Sequence, residues 1–552
     1  ECERSIQETI ENLLNQINDK SFNSIKEKLK SHLVFYIKPY WVVLPFYKDS
    51  YNDIDTIINE YKNLIGKNEL SNTIEIIKNH QYYKTKNVGA CYSLLVDLAE
   101  RFLASRKMLK DFIVIKSQTG EKCHLCGEYD IINIDWDSLS PKYVNKNERL
   151  CGNCLFKRLL PEIIKSMYNL SDEIKYPSTS EMATVVYKKS LNRDFINEFV
   201  EKFNNIFNNK LPAGVSVPAL KNHPLYEIDG QWLMESSYRK SYLKNEFGID
   251  VSYVTLKEMK EFLKKNKINP PVYYAILAMD GDNIGKWLKG EFSPFVKDMI
   301  NPKASETLLT YNDENLKKIL EKKHPMSFSL HNQFSRKLSE FSLIKVREIV
   351  EDRYFGKLIY AGGDDVLAFL PVGTVINCAF DLYNAFRAKI GDKATMSAGI
   401  VIVHHKYPLL HGLNEVRETE KIAKNRYGKD AFCIKYISGS GQEKFSGLKW
   451  KYNNSFFDKI IQKYENDQLS TRFAYDFMDI IRELLPECAT GKSGISEIVR
   501  NELKRVYRHK LTKDKYDSQF EELLIKMLDE FGNNYEDFGN LLVIARAIAK
   551  MG

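Results

Sequence analysis

Long apolar runs are the first thing this 552-residue sequence lacks. No stretch approaches the roughly 18 to 20 uncharged apolar residues that a membrane span needs. The opening Glu1-Cys-Glu-Arg-Ser5 also lacks the charged-then-apolar order of a secretory signal. A cytoplasmic protein without a membrane partner is the expectation, although a start at Glu1 rather than Met leaves room for a removed segment in front. A strong charge of one sign is missing too. With 81 Lys and Arg against 73 Asp and Glu, the net +8 is no more than solubility asks for. Basic stretches at 264–267, 317–323 and 505–515 each read as a solvated helix face or as a phosphate-contacting surface. Secreted-type disulfide spacing is absent as well: the nine cysteines are odd in number, and four of them form two CxxC pairs. Of the others, Cys91, Cys378 and Cys433 are expected in the core.

At about 100 to 200 residues per domain, the length implies roughly three to five domains. Residues 1–35 read as an amphipathic helix through Ile6, Ile10, Leu13, Leu14 and Ile17, and Tyr40 to Phe46 as a buried strand. A helix from Val88 to about Lys110 carries Tyr92, Leu95, Leu98, Ala99 and Phe102 at helical spacing. Past the cysteines, Pro161 to Leu263 is mainly helical. From Val272 onward strand and helix alternate: a strand to Met279, a hairpin formed by 357–360 and 366–370, a helix at 375–389 and a strand at 395–403. That order belongs to the split βαβ, ferredoxin-like class. Helical spacing returns from Trp450, for instance through Leu541, Leu542, Ile544, Ala545 and Ile548.

Cys123-His-Leu-Cys126 and Cys151-Gly-Asn-Cys154 offer four thiolates in two tight turns, with Gly127 and Gly152 supplying backbone freedom. A redox pair or core cysteines are the alternative to zinc. Four cysteine ligands leave no position for water, so a zinc here is structural. Gly362-Gly363-Asp364-Asp365 places two glycines and two acids at a hairpin tip, where a plain turn with solvated acids is the simplest account. Asp280-Gly281-Asp282-Asn283 at the carboxyl end of another strand changes that, because a ferredoxin-like sheet sets this end beside the hairpin. Asp280, Asp364 and Asp365 would then hold two hard divalent ions, magnesium or manganese, for a nucleotidyl reaction.

These two acidic motifs resemble the second palm domain of the large subunit of type III CRISPR effectors, akin to GGDEF and class III nucleotide cyclases. Asn87 to Tyr92, Leu103 to Lys107, the CxxC pairs, Tyr176-Pro-Ser-Thr-Ser-Glu181, Ser397-Ala-Gly-Ile400 and His404-His-Lys-Tyr-Pro408 resemble the Cmr branch, type III-B, in the family's order. The resemblance implies an α+β multidomain chain with two ferredoxin-like palm domains. The first, degenerate, spans 1–115; a zinc segment follows at 116–160, a mainly helical region at 161–267, the second palm at 268–445 and a helical domain at 446–552. The first palm leans on an echo between Tyr40–Phe46 and Tyr273–Met279, which chance similarity of two short strands explains equally well. The carried-over roles are metal ligation by Asp280, Asp364 and Asp365, and nucleotide binding by Gly281, Asp282, Asn283, Gly362 and Gly363. Asp282 reads equally as a surface cap. Lys424, in Ala423-Lys424 before Gly428, is the phosphate lysine, one residue further from its glycine than usual, and Lys429 is the alternative. His404 and His405 take structural or RNA-side roles. No histidine is followed by Asp, so the family's HD nuclease motif is missing from this sequence, either removed or naturally absent. The implied function is synthesis of cyclic oligoadenylates from ATP when target RNA is sensed, in a complex with guide RNA and neighbouring Cmr subunits. A non-catalytic scaffold that binds nucleotide and guide RNA is the alternative. A free-standing diguanylate-type cyclase leaves the zinc segment and the C-terminal helices unexplained.

Overall fold

A computed structural model describes residues 8, 11–12, 14–15, 25–33, 39–44, 51–79, 88–109, 120–136, 139, 144, 148–169, 176–208, 210–211, 214–311, 313–452, 456–488, 495–512 and 516–551. The chain divides into two units, Glu1–Lys175 with Ser293–Phe328, and Tyr176–Phe292 with Ser329–Gly552. Segment 293–328, expected inside the second palm, thus belongs to the first unit.

In the first unit the described elements are helices and isolated bridges. The expected strand at Tyr40 to Phe46 is not formed over 40–44: Trp41 is 60% exposed and Val43 76%, and no strand pairs with them among the described residues. Phe46 lies outside the described residues, as do Ile6, Ile10, Leu13 and Ile17. Among the described residues of 1–115 there is no sheet, so the expected first ferredoxin-like fold is not seen there. The helix Tyr92–Met108 forms as expected but buries Leu94, Asp97 and Leu98, while Phe102 stands exposed. Asp97 tolerates burial because the Tyr61 hydroxyl donates to it at 2.7 Å and Arg101 pairs with it at 2.9 Å. Helix α1 (Gly152–Tyr168) runs straight through Pro161, so the expected boundary after residue 160 falls inside a helix.

The second unit is built on one six-stranded sheet: β1 (Tyr273–Gly281), β2 (Lys357–Gly362), β3 (Asp365–Pro371), β4 (Met396–His404), β5 (Ala431–Ile437) and β6 (Glu443–Lys449). The order is β2-β3-β1-β4-β5-β6, antiparallel except for the β4–β5 pair. The first four strands make the ferredoxin-like arrangement, and β5–β6 extend it as a hairpin the sequence reading did not include. β6 straddles the expected boundary at 445. β1 is a continuous apolar run because both of its faces are covered. Ala275, Leu277 and Met279 enter one core together with helix α3 (Val375–Ile390), while Tyr274 and Ile276 enter another with α2 (Thr179–Ser190) and α4 (Leu409–Asn425). The helices of 458–551 join the first of these cores through Leu541, Leu542, Ile544, Ala545 and Ile548, the expected apolar face.

Candidate functional site

The β1–β3 register pairs Met279 with Val366, and β2–β3 pairs Gly362 with Asp365. The end of β1 and the hairpin tip therefore lie side by side, as the motif reading expects. Gly363 occupies the first central position of this two-residue turn with φ +66, the backbone a II′ hairpin turn demands of glycine. Asp280, Asp364 and Asp365 each offer a carboxylate oxygen, all within 4.8 Å of one another. Gly281 makes this approach possible, since an added Cβ would lie 2.8 Å from Asp364 Cβ.

Three acids so close cannot all carry charge cheaply. Burial, followed by a hydrogen bond and charge from Asp280 and the charge of Asp364, pushes Asp365 up to about 7. Asp365 is exposed as a residue, but its carboxyl turns into the cluster. Asp364 is raised by burial first and by Asp280 second. A hard divalent cation relieves this repulsion, and three carboxylates on two strand ends are the oxygen donors it prefers. The residues present fit magnesium or manganese.

Two lysines come from the end of α4 and the loop after it. The Lys424 ammonium pairs with Asp280 and, at 2.7 Å, with Glu420 one turn earlier. Lys429 donates to Asn283 Oδ1 at 2.6 Å. Both candidate lysines thus stand at the carboxylate end of β1. The helix comes this close because β4 carries Gly399, where a Cβ would lie 2.4 Å from the Glu420 nitrogen. That accounts for one residue of the Ser397-Ala-Gly-Ile motif.

Ser397 accounts for another, and it corrects the reading of Asp282. Asp282 is 2% exposed, neither a surface cap nor turned to a ligand. Its carboxylate accepts from Ser397 Oγ at 2.7 Å, Thr395 Oγ1 at 2.8 Å and the Asp430 amide at 2.9 Å. With both oxygens so engaged it braces β1 against β4 and the lysine loop. Sequence spacing could not separate it from Asp280, two residues away. His405 is also structural in its contacts: buried, it meets Ser180 Oγ at 2.8 Å, its carbonyl accepts from Thr179, and burial pulls its pKa down to about 4. The Pro-Ser-Thr-Ser-Glu segment and the His-His pair are two sides of one contact. Of the 505–510 stretch, Arg505 pairs with Glu502, Arg508 with Glu521 and Lys510 with Asp476.

In the first unit, Cys123, Cys126, Cys151 and Cys154 bring their sulfurs within 4.8 Å of one another, with Cys126 and Cys151 3.9 Å apart. A tetrahedral zinc with bonds of about 2.3 Å separates its sulfurs by about 3.8 Å. The four thiols fit zinc, and the knuckle geometry supports it. The Gly127 amide donates to the Cys123 carbonyl at 2.9 Å with φ +67, and Cys151 caps α1 by accepting from the Cys154 amide at 3.4 Å. Cys123, Cys151 and Cys154 are buried among Leu150, Leu155 and Ile163.

Residues 273–433 match the family model for Cas10/Cmr2, second palm domain. Among curated proteins, the CRISPR system Cmr subunit Cmr2 of Pyrococcus furiosus is 33% identical over 439 residues, 76% of this chain and 47% of that protein. The chain therefore spans about half the length of that relative. A CRISPR system single-strand-specific deoxyribonuclease Cas10/Csm1 (subtype III-A) of Streptococcus thermophilus is 29% identical over 153 residues, 27% of this chain and 19% of that one. Among solved structures, a type III-B Cmr-beta complex in its apo state contains a chain that matches with a TM-score of 0.50 at 15% identity. The match covers 91% of this chain and 65% of that one, a likeness of fold.

Proposed function

From the premise that this chain is a homologue of the Cmr subunit Cmr2 and carries a Cas10/Cmr2 second palm domain, we propose that it joins ATP molecules 3′ to 5′ into cyclic oligoadenylates. Synthesis starts when a type III-B effector complex, containing guide RNA and neighbouring Cmr subunits, meets target RNA in the cytoplasm. The observation that carries this reading is the convergence of Asp280, Asp364 and Asp365 at a glycine hairpin faced by Lys424 and Lys429.

Asp280, Asp364 and Asp365 would hold the divalent ions, which supply positive charge to the attacking hydroxyl and the departing pyrophosphate. The chain's own groups do the rest. Gly363, with open space where a Cβ would stand, leaves the hairpin tip free of a side chain where phosphates approach, while Gly362 makes room for the Tyr360 side chain and Gly281 for Asp364. Lys424 exchanges its carboxylate partners for phosphate oxygens, and Lys429 with Asn283 closes the other side. Asp282 keeps β1 and β4 in register beneath them. The Cys123, Cys126, Cys151 and Cys154 zinc is structural and takes no part in the chemistry.

The test is a reconstituted complex incubated with ATP, magnesium or manganese and target RNA, with products resolved by mass spectrometry. Cyclic adenylates that depend on both metal and target RNA are expected. Their absence from an assembled, RNA-bound complex would leave a nucleotide-binding scaffold instead.

A further inference from the structure

The loop after α4 is built against backbone preference. Gly428, Lys429 and Asp430 follow one another at φ +70, +61 and +47. Two of these are not glycine, and consecutive left-handed residues persist only where their surroundings over-determine them. On the downstream side the restraints come from the end of β1, from α3 and from β6. The Asp430 amide donates to Asp282, the Tyr383 hydroxyl donates to Asp430 Oδ1 at 2.7 Å, and Lys449 Nζ donates to the Gly428 carbonyl at 3.0 Å.

On the upstream side the restraint comes from the last helix, Tyr535–Met551. Its Asp537 is 5% exposed, and one oxygen, Oδ2, accepts from the Tyr427 hydroxyl at 2.9 Å and from Arg426 at 2.7 Å. Tyr427 itself lies flat over Gly447 of β6, where an added Cβ would meet the ring at 2.3 Å. A buried carboxylate needs partners, and both of these come from the dipeptide between Lys424 and Lys429. Lone burial of an acid would be satisfied by any donors. Spending both bonds on two adjacent loop residues fixes the loop's height above the sheet as well.

We infer that Asp537 is a positioning residue for nucleotide phosphates: by pinning Arg426 and Tyr427 it sets where Lys424 and Lys429 face the carboxylate cluster. The inference rests on the nucleotidyl reading above and makes the C-terminal helix part of that site. Asp537 touches no substrate. Its effect passes through the two lysines.

The test uses the full chain with magnesium, and measures binding of ATP and of adenosine by calorimetry, with thermal unfolding of each ligand-free variant alongside. Asp537→Asn is expected to weaken ATP binding about tenfold while leaving adenosine unchanged, the size of coupling typical of contacting groups. Tyr427→Phe repeats the experiment with less burial at stake, and carries it if Asp537→Asn fails to fold. In a Lys424→Met, Lys429→Met background either substitution should add nothing further. Equal losses for ATP and adenosine, the same loss in the lysine-free background, or no loss at all would overturn the inference. A wild-type chain that binds no ATP would instead overturn the nucleotidyl reading, and this inference with it.

Discussion

The chain holds two clusters of metal-ligating side chains in opposite ways. The four thiols sit on knuckles whose backbone and apolar neighbours close around them, three of the four buried. The three carboxylates stand at strand ends, partly open, repelling one another, with Lys424 as a resident counter-ion. A cluster whose ligands belong to the core stabilises the fold by binding its metal. A cluster kept at the rim, with its repulsion unrelieved, keeps its binding energy for a ligand that comes and goes. Asp282 sharpens the contrast. Two residues from Asp280, it accepts three hydrogen bonds through both of its oxygens, contacts that tie it to the fold rather than to the cluster.

The largest effect should follow from breaking the closed cluster. Cys123→Ser or Cys154→Ser should release zinc and lower stability by about 4 kcal/mol or more, as loss of a structural metal does. Metal analysis with thermal unfolding reads this directly, and a variant that melts like wild type removes the zinc reading. Next comes Asp282→Ala, which strips the acceptor from two hydroxyls and an amide and should cost about 3 kcal/mol. If Asp282→Ala instead melts like wild type and only weakens nucleotide binding, it belongs with the ligand-facing acids after all.

Much of this contrast could be read in the sequence, for definite reasons. CxxC spacing constrains sulfur geometry locally, and the acids are identified by lying at a strand end and at a glycine turn, so chain order alone nearly fixes their meeting. What was not legible depends on contacts distant in sequence. Asp282 looks like Asp280 until Ser397 of β4 and Thr395 just before it arrive. Pro161 looks like a boundary although the residues on either side continue the helix. Tyr40 to Phe46 has strand-like composition, but over 40–44 it pairs with no strand edge among the described residues, and composition cannot supply one. Asp537 gave no signal at all, because only the packing of the last helix on β6 brings it to Tyr427.

Smaller effects on the fold are expected at the open cluster. Asp364→Ala with Asp365→Ala should leave the metal-free melting temperature unchanged or slightly higher, because like charges are removed. pH should reveal the same repulsion in the wild type. The folded pKa of Asp365, about 7, lies above its ordinary value of 3.8, so the folded chain holds this proton where the unfolded chain has lost it. The contribution is therefore favourable at low pH and declines as pH rises from about 4 to about 7. Added magnesium should flatten that decline, as melting curves in paired buffers would show, whereas a slope indifferent to magnesium would place the titrating group elsewhere.

The central claim is that the open cluster makes product while the rest of the molecule holds the complex together. The measurement that tests it most directly follows adenylate product by mass spectrometry, alongside target-RNA binding in the same sample, for the wild-type complex and for Asp364→Ala with Asp365→Ala. The account predicts that product disappears while assembly and RNA binding stay at wild-type levels. Product made undiminished by the double variant, or assembly and product lost together, would contradict it.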